Sequence, residues 1–553
     1  MLLDVTDFGS LDDAGPAIRA ALRVARATPG PVVLRFPPGE YHVWPQEENR
    51  RELYVSNTVG ADPRHRIKTV AILIESIDDL LLTGEGARLV VHGLQTTFAV
   101  LDSARVRVEG LEFDYAVPTV VDATVADAGP GFRLIRVPAV TRFTVTGRSV
   151  LWHGEPTPAG GFAWWGRNGL DYTQVFDVAA GRARRVDNPL FRDVAAMHRV
   201  GEREVRIEYG HRAQPYDMGL VYAMRRTVRD HPGALITGSA DVTLSRLRFR
   251  YLHGFGVVAQ HSRDLTVEDC EFRPPPGTRR HSAGFADFLQ VSGCSGRVVV
   301  RDSVFDGSHD DPINVHGTYL RVAEQPRTDT LLLQFAHPET AGLAQFTPGE
   351  RFEVVDRATL RPVAEAGVRD VRQPGDPGEP LTSIVLTADV PLPAGLAGVS
   401  AVENVSRTPS VEITGNVFRN TPTRAVLVTT RRPIRIERNR FERPGMAAIY
   451  VSADANEWWE SGPVRDLTIR ANEFIDPGGP AILVDPRAPR VDEPVHSGIL
   501  IEENRFELDG VPAVDATATS GLRLHANASL PATATTTATA EVRFTACRDV
   551  VID

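Results

Sequence analysis

An internal repeat limits this chain more than any other feature. The pattern apolar-x-apolar-x-x-(Asn or apolar)-x-Phe runs Val106 to Phe113, Val242 to Phe249, Leu265 to Phe272 and Val298 to Phe305. It returns as Val411 to Phe418, Ile434 to Phe441, Leu467 to Phe474 and Ile499 to Phe506, with a degenerate copy from Leu522. Within uninterrupted runs the starts lie 23, 33, 23, 33, 32 and 23 residues apart. Alternating apolar residues over three or four positions make a short strand with one buried face. A period of this size built from strands predicts a parallel β-solenoid, an all-β fold whose coils stack at ~4.8 Å. Asn416, Asn439, Asn472, Asn504 and Asn527 share one repeat position. Asn suits a corner because it tolerates the left-handed conformation and bonds nearby backbone, so a stacked asparagine ladder is expected there.

The repeat also reorganises a chain of 553 residues, which would otherwise suggest three or four ordinary domains. Residues 1–113 read as the first coils. Ala17, Ile18, Ala21, Leu22 and Ala25 after Pro16 mark a helix that caps the open end. Residues 114–232 and 319–407 hold strands and Gly/Pro turns without the repeat, and each reads as an inserted β-barrel. Residues 233–318 and 408–553 are the central and C-terminal coils. Trp164 and Trp165 are expected to pack in the core of the first insert.

Composition excludes several classes. No run of 18 apolar residues exists to span a membrane. Three cysteines, none in a CxxC pair, support neither a disulfide framework nor a zinc ribbon. A net charge of −10 without a basic cluster argues against nucleic acid as a partner. The first residues show no basic stretch followed by an apolar run, so no secretory signal is visible, and compartment and self-association stay open.

The chemistry is expected where the repeat breaks its own rule. Upstream of each pattern lies a second short strand, apolar or neutral in Ala425–Val428, Ala448–Val451 and Ala481–Val484. Two coils differ: Ala286-Asp287-Phe288-Leu289-Gln290-Val291, then Asp310-Asp311-Pro312-Ile313-Asn314-Val315-His316. Aligning Leu289 and Val291 with Ile313 and Val315 puts Asp287 level with Asp311, and Asp310 one step away. Carboxylates on adjacent coils raise at least one pKa, which supplies a protonated acid beside an ionised base. Glycoside hydrolysis needs such a pair, at ~6.5–9.5 Å for inversion or ~5–5.5 Å for retention. Position alone allows either; a calcium site or a solvated acidic corner is the bland alternative.

His309 and His316 flank the aspartates as candidate sugar ligands or structural hydrogen-bonders. Arg424 aligns with Asp311 one coil on, across the second insert, and suits a carboxylate or a substrate hydroxyl. A loop with Asp454, Glu457, Trp458 and Glu460 mixes aromatic faces and carboxylates, as sugar binding requires.

At these residues the chain resembles glycoside hydrolase family 110, the exo-α-1,3-galactosidases. The similarity runs through Asp4–Gly9, Gly39–Pro45, Arg51–Asn57, Asp310–Gly317 and Trp458–Gly462. The resemblance implies a right-handed parallel β-helix carrying two β-barrel domains. It implies release of terminal α-1,3-linked galactose from an oligosaccharide or glycoconjugate, with inversion and without metal or cofactor. It maps the essential aspartates onto Asp287, Asp310 and Asp311, with Asp310 as general acid and the other two as candidates for holding and deprotonating water. Two departures stand out. Ser56-Asn57 continues as Thr58-Val59-Gly60, where the family carries a histidine and an acid. The family's additional glutamate in the second insert has Glu339 and Glu350 as nearby acids, with Ala344 and Gln345 also close to its column. A β-helix polysaccharide lyase or uronate-active enzyme, and a non-catalytic glycan-binding solenoid, are the competing readings.

Overall fold

The computed structural model describes all residues except 59, 61, 211–216 and 532–540. The solenoid is present as two long sheets of 22 and 13 strands, joined in parallel from coil to coil. Val106, Val242, Leu265, Val298, Val411, Ile434, Leu467, Ile499 and Leu522 pair in one unbroken register, as the repeat requires. The repeat's phenylalanines stack inside: from Phe113 through Phe506, successive ring centroids lie 4.7–5.5 Å apart. Offset rings at that spacing combine large apolar burial with favourable ring geometry.

The asparagine ladder forms as expected. Each side-chain amide donates to a strand carbonyl of an earlier coil, and from Asn439 onward each Oδ1 accepts from the backbone N–H and the amide of the preceding asparagine. Ser303 and Cys270 continue the same column: the Cys270 N–H donates to Ser303 Oγ, and the Ser303 N–H to Asn416 Oδ1. Cys270 is thus a buried free thiol filling a ladder position.

The solenoid extends further toward the N-terminus than the repeat reveals. Leu80–Val91 pairs with the coil holding Val106, and Val32–Arg35 with Leu80–Thr83. A bulge between Thr83 and Ala87 shifts the register, and Leu89 stands where later coils have Phe. The helix Gly15–Ala27 buries Ala17, Ile18, Ala21, Leu22 and Ala25 against the first coils.

Both interruptions leave the solenoid register intact. Ala104–Tyr115 pairs directly with Ala240–Ser245, across the first interruption. Ser295–Arg301 pairs with Ser410–Thr414, across the second. The second insert closes as a six-stranded barrel from Leu320–Arg327 to Ser400–Asn404. The first wraps a seven-stranded antiparallel sheet and a three-stranded sheet around one core. Its Gly154-to-Gly161 stretch, rich in Pro and Gly, suits a separate hairpin better than a continuous ladder. Trp164 is buried in that core, whereas Trp165 is half exposed.

Among the described residues no helix is long and apolar enough to cross a membrane.

Candidate active site

The two unusual coils lie side by side. Leu289 pairs with Ile313 and Val291 with Val315, which sets Asp287 level with Asp311; Ile313 then pairs with Val426, which sets Asp311 level with Arg424. Gly256, on the coil before, is needed for the stacking. Its φ is +56°, and a Cβ there would lie 2.2 Å from the Asp287 carbonyl oxygen. Gly256→Ala is therefore expected to displace Asp287 and lower kcat on the order of 10²-fold, the usual cost of ångström-scale misplacement. Steady-state kinetics alongside a melting curve checks it.

Asp287, Asp310 and Asp311 line one cavity of about 560 Å³. Its walls come from three parts of the chain: Tyr172, Arg185, Arg225 and Arg229 from the first insert and its return to the solenoid, Glu339 from the second, and Arg424 with the loop at 454–460 from the C-terminal coils. Asp311 is clamped by Arg424: the backbone N–H donates to Oδ1 at 3.1 Å, and Nε and Nη2 donate to Oδ2 at 3.0 and 2.5 Å. Burial nevertheless pushes its pKa up to about 6, Arg424 opposing and Asp310 assisting. Burial also acts to raise Asp310, but Arg185 and Arg229, with Arg424 and Arg225 behind them, outweigh it and hold this carboxyl below the ordinary range. Arg185 Nη2 stands 3.0 Å from Asp310 Oδ1, and Arg229 Nη2 3.4 Å from Oδ2. Asp287 is different. It is 3 % exposed, and burial first, then Asp310 and Asp311, drive its pKa well above the ordinary value. The cavity thus holds one carboxyl favoured as the neutral acid beside one favoured as the anion.

Of the other expected ligands, Arg424, Asp454, Glu457, Trp458 and Glu460 line the cavity; His309 and His316 do not. His309 is fully buried, its Nε2 2.9 Å from Ser282 Oγ, and burial pushes its pKa well down. His316 Nδ1 lies 2.6 Å from the Gly317 carbonyl oxygen and Nε2 3.0 Å from Gln290 Nε2, so both ring nitrogens are engaged within the protein. Both histidines thus sit behind the cavity lining, in buried hydrogen bonds with the protein. Asp454 lines the cavity but shapes its own loop, accepting from the backbone N–H groups of Asn456, Glu457 and Trp458 at 2.7–2.9 Å. Trp458 is 50 % exposed and stacks on His337, centroids 4.9 Å apart. Glu460 accepts from Asn314 Nδ2 at 3.1 Å, and its strand pairs with Gly317–Thr318. Gly317 permits that pairing, since a Cβ there would meet Ser461 Oγ at 2.4 Å.

The acids near the additional-glutamate column separate cleanly. Glu339 lines the cavity, 3.4 Å from Arg229 Nη1, and burial raises its pKa. Glu350 is engaged by Arg407 and Asn404 in the barrel. Asn57 also lines the cavity, accepting from Thr340 Oγ1 and, through its carbonyl, from Arg229. Val59, in the departing segment, lies outside the described residues.

Sequence reasoning missed Arg185, Arg225 and Arg229. The signal was positional: the Arg225–Arg229 cluster lies where the first insert hands the chain back to the repeat.

Among the described residues, one group has metal-ligand chemistry: Asp230, His231 and His253, with ligand atoms within 4.8 Å of one another. It lies outside the cavity lining. His253 Nε2 sits 2.7 Å from Asp230 Oδ1 and its Nδ1 2.7 Å from Thr119 Oγ1, while His231 Nδ1 lies 3.6 Å from Asp230 Oδ1. Lys68, the sole lysine, donates to the Asp230 backbone carbonyl beside it.

No protein-family model matches the chain. It is 46 % identical over 543 residues to α-1,3-galactosidase A of Streptomyces avermitilis, covering 95 % of this chain and 87 % of that one. It is 34 % identical over 542 residues to α-1,3-galactosidase A of Bacteroides fragilis strain YCH46, covering 95 % and 86 %. It is 27 % identical over 546 residues to α-1,3-galactosidase B of Bacteroides thetaiotaomicron, covering 95 % and 85 %. Among solved structures, the mannuronan C-5 epimerase AlgE4 A-module of Azotobacter vinelandii aligns at a TM-score of 0.38 and 10 % identity, over 98 % of this chain and 97 % of that one. With relatives this similar along almost their whole length, the chain belongs to the α-1,3-galactosidase family of glycoside hydrolases.

Proposed function

We propose that the protein hydrolyses terminal α-1,3-linked galactose from oligosaccharides or glycoconjugates, with inversion, using Asp287, Asp310 and Asp311. The observation that supports acid–base hydrolysis is the unequal charge environment of three carboxyls in one cavity; inversion is what the family resemblance implies. Inverting hydrolysis needs a carboxylic acid to protonate the leaving oxygen and a carboxylate to activate water on the opposite face of the ring.

The family resemblance assigns the acid to Asp310. The charges around the cavity support another division. Asp310, against two arginines, is the anion suited to take a proton from water. Asp287, buried beside two other carboxyls, is the proton carrier. Asp311, clamped by Arg424, orients the site and tunes both neighbours. The three titrate as a set rather than singly. Arg185, Arg225 and Arg229 close the cavity on the first-insert side and Glu339 on the second, which suits removal of a chain-terminal sugar.

The test is proton NMR of the hydrolysis of a terminal α-1,3-galactosyl oligosaccharide. β-Galactose is expected as the first anomer to appear. First appearance of α-galactose would contradict inversion, and an intact substrate would remove the activity.

A further inference from the structure

One register row on the outer face of the 13-stranded sheet crosses the whole site. Gln290, Asn314, Leu427, Tyr450, Leu483 and Asp515 pair in sequence from coil to coil. At the catalytic coils this row is covered: Gln290 is 0 % exposed and Asn314 5 %. Beyond them the cover thins, and Tyr450 and Leu483 are only partly buried. The catalytic cavity runs on over these residues. Arg424, which clamps Asp311, places its guanidinium carbon 5.5 Å from the Tyr450 ring centroid, so the floor continues from the catalytic coil without a break.

The walls over this stretch are polar and half open. Arg487 Nη2 reaches Glu457 Oε2 at 3.2 Å, and its Nη1 lies 3.6 Å from Asp485 Oδ2. Met446 and Trp458 stand at the rim, 44 % and 50 % exposed. An aromatic and aliphatic floor under carboxylate and guanidinium edges is the chemistry that recognises a sugar ring: C–H faces below, hydroxyls at the sides. From Leu427 through Tyr450 to Leu483 the floor spans two coil steps, about 10 Å at ~4.8 Å per step, with Tyr450 and Leu483 one step apart.

We infer that the stretch from Tyr450 to Leu483 and Asp485 is a binding site for the saccharide on the reducing side of the scissile bond, directed along the solenoid toward the C-terminal coils. This rests on the galactosidase reading and adds to it. The preferred substrate has at least two sugar rings behind the terminal galactose, the first over Tyr450 and the next over Leu483, with Asp485 and Arg487 taking hydroxyls.

Two measurements test it on the full chain, with Tyr450→Ala and Leu483→Ala beside the native protein and melting curves for all three. The first is the ratio of kcat/KM for a linear α-1,3-galactosyl trisaccharide to that for the α-1,3-galactosyl disaccharide. It should exceed tenfold in the native protein, as a few hydrogen bonds and one stacked ring imply, and fall toward unity in Leu483→Ala. The second is direct binding of lactose, a stand-in for the leaving saccharide, followed by ligand-observed NMR. Both substitutions should weaken it severalfold. A native ratio near unity, or lactose binding untouched by either substitution, would overturn the proposal. Should no galactoside be cleaved at all, the galactosidase reading falls, and the lactose measurement still decides the saccharide site by itself.

Discussion

Asp287→Asn is expected to lower kcat/KM on an α-1,3-galactosyl oligosaccharide by ~10²–10⁴-fold, while an aryl α-galactoside with a good leaving group stays within about tenfold of native turnover. The reason is the division of charge in the cavity. A sugar leaving group needs a proton at the transition state; a nitrophenolate does not. Asp310→Asn should lose both substrates, because the water-activating carboxylate is needed whatever departs. The reverse pattern, with the aryl substrate spared in Asp310→Asn and lost in Asp287→Asn, would put the acid at Asp310, as the family resemblance has it. Parallel kinetics of both variants on both substrates decides between them.

The same two substitutions should separate in stability. Asp287 has its folded pKa raised by burial and by two neighbouring carboxyls. The folded state therefore binds more protons than the unfolded one above the ordinary carboxylate pKa, and stability falls as pH rises from there toward the folded value. Asp287→Asn removes that slope and should leave the melting temperature at neutral pH unchanged or higher. Asp310 runs the other way. Its folded pKa is depressed, so its contribution is present above the ordinary carboxylate pKa and is lost as pH falls through the folded value. Asp310→Asn also takes from Arg185 and Arg229 the carboxylate they share, leaving Arg229 only Glu339 and the Asn57 carbonyl, so its melting temperature should drop at neutral pH. Melting curves from pH 8 down to well below the ordinary carboxylate pKa read both signs.

Much of this site was legible because a solenoid turns sequence register into spatial register. Once Leu289 is set against Ile313, the adjacency of Asp287 and Asp311 needs only the strand-stacking distance, and the pairing observed is that one. Arg424 followed by the same reasoning across an insert of about ninety residues, since an insert leaving from a loop does not disturb the ladder on either side. Where no repeat exists, register says nothing. Arg185, Arg225 and Arg229 come from the first insert and its exit, and only three-dimensional packing brings them to Asp310. The histidines show a second limit. His309 and His316 lie within the aspartate segment, but strand alternation and the local turn direct them into buried hydrogen bonds instead of the cavity. The N-terminal coils, read as solenoid from their position and the capping helix, carry no copy of the repeat pattern because Leu89 stands in place of Phe and a bulge breaks the spacing.

The asparagine ladder yields the largest expected loss of stability. Asn472 is 1 % exposed. Its amide donates to the Ile436 carbonyl at 2.8 Å and to Asn504 Oδ1 at 3.0 Å, while its Oδ1 accepts from the Asn439 N–H at 2.9 Å and the Asn439 amide at 3.0 Å. Asn472→Ala orphans one backbone donor and one backbone acceptor in a dry corner. At about 1–3 kcal/mol for each unsatisfied buried group, the loss comes to roughly 2–6 kcal/mol. Asn527, at the more open end of the ladder, donates to the Ile501 carbonyl and accepts from Asn504. Water can replace part of that set, so Asn527→Ala should cost clearly less. Asn472→Asp sharpens the test. An ionised carboxylate keeps the acceptor but cannot donate to Ile436, and it stands buried without a cation. The introduced carboxyl should therefore be protonated in the folded state, and the variant should regain stability as pH falls toward 4, the ordinary carboxylate range. Equal losses for Asn472→Ala and Asn527→Ala, or a pH-independent Asn472→Asp, would mean that the ladder is held by the stacked phenylalanines beside it and not by its own hydrogen bonds.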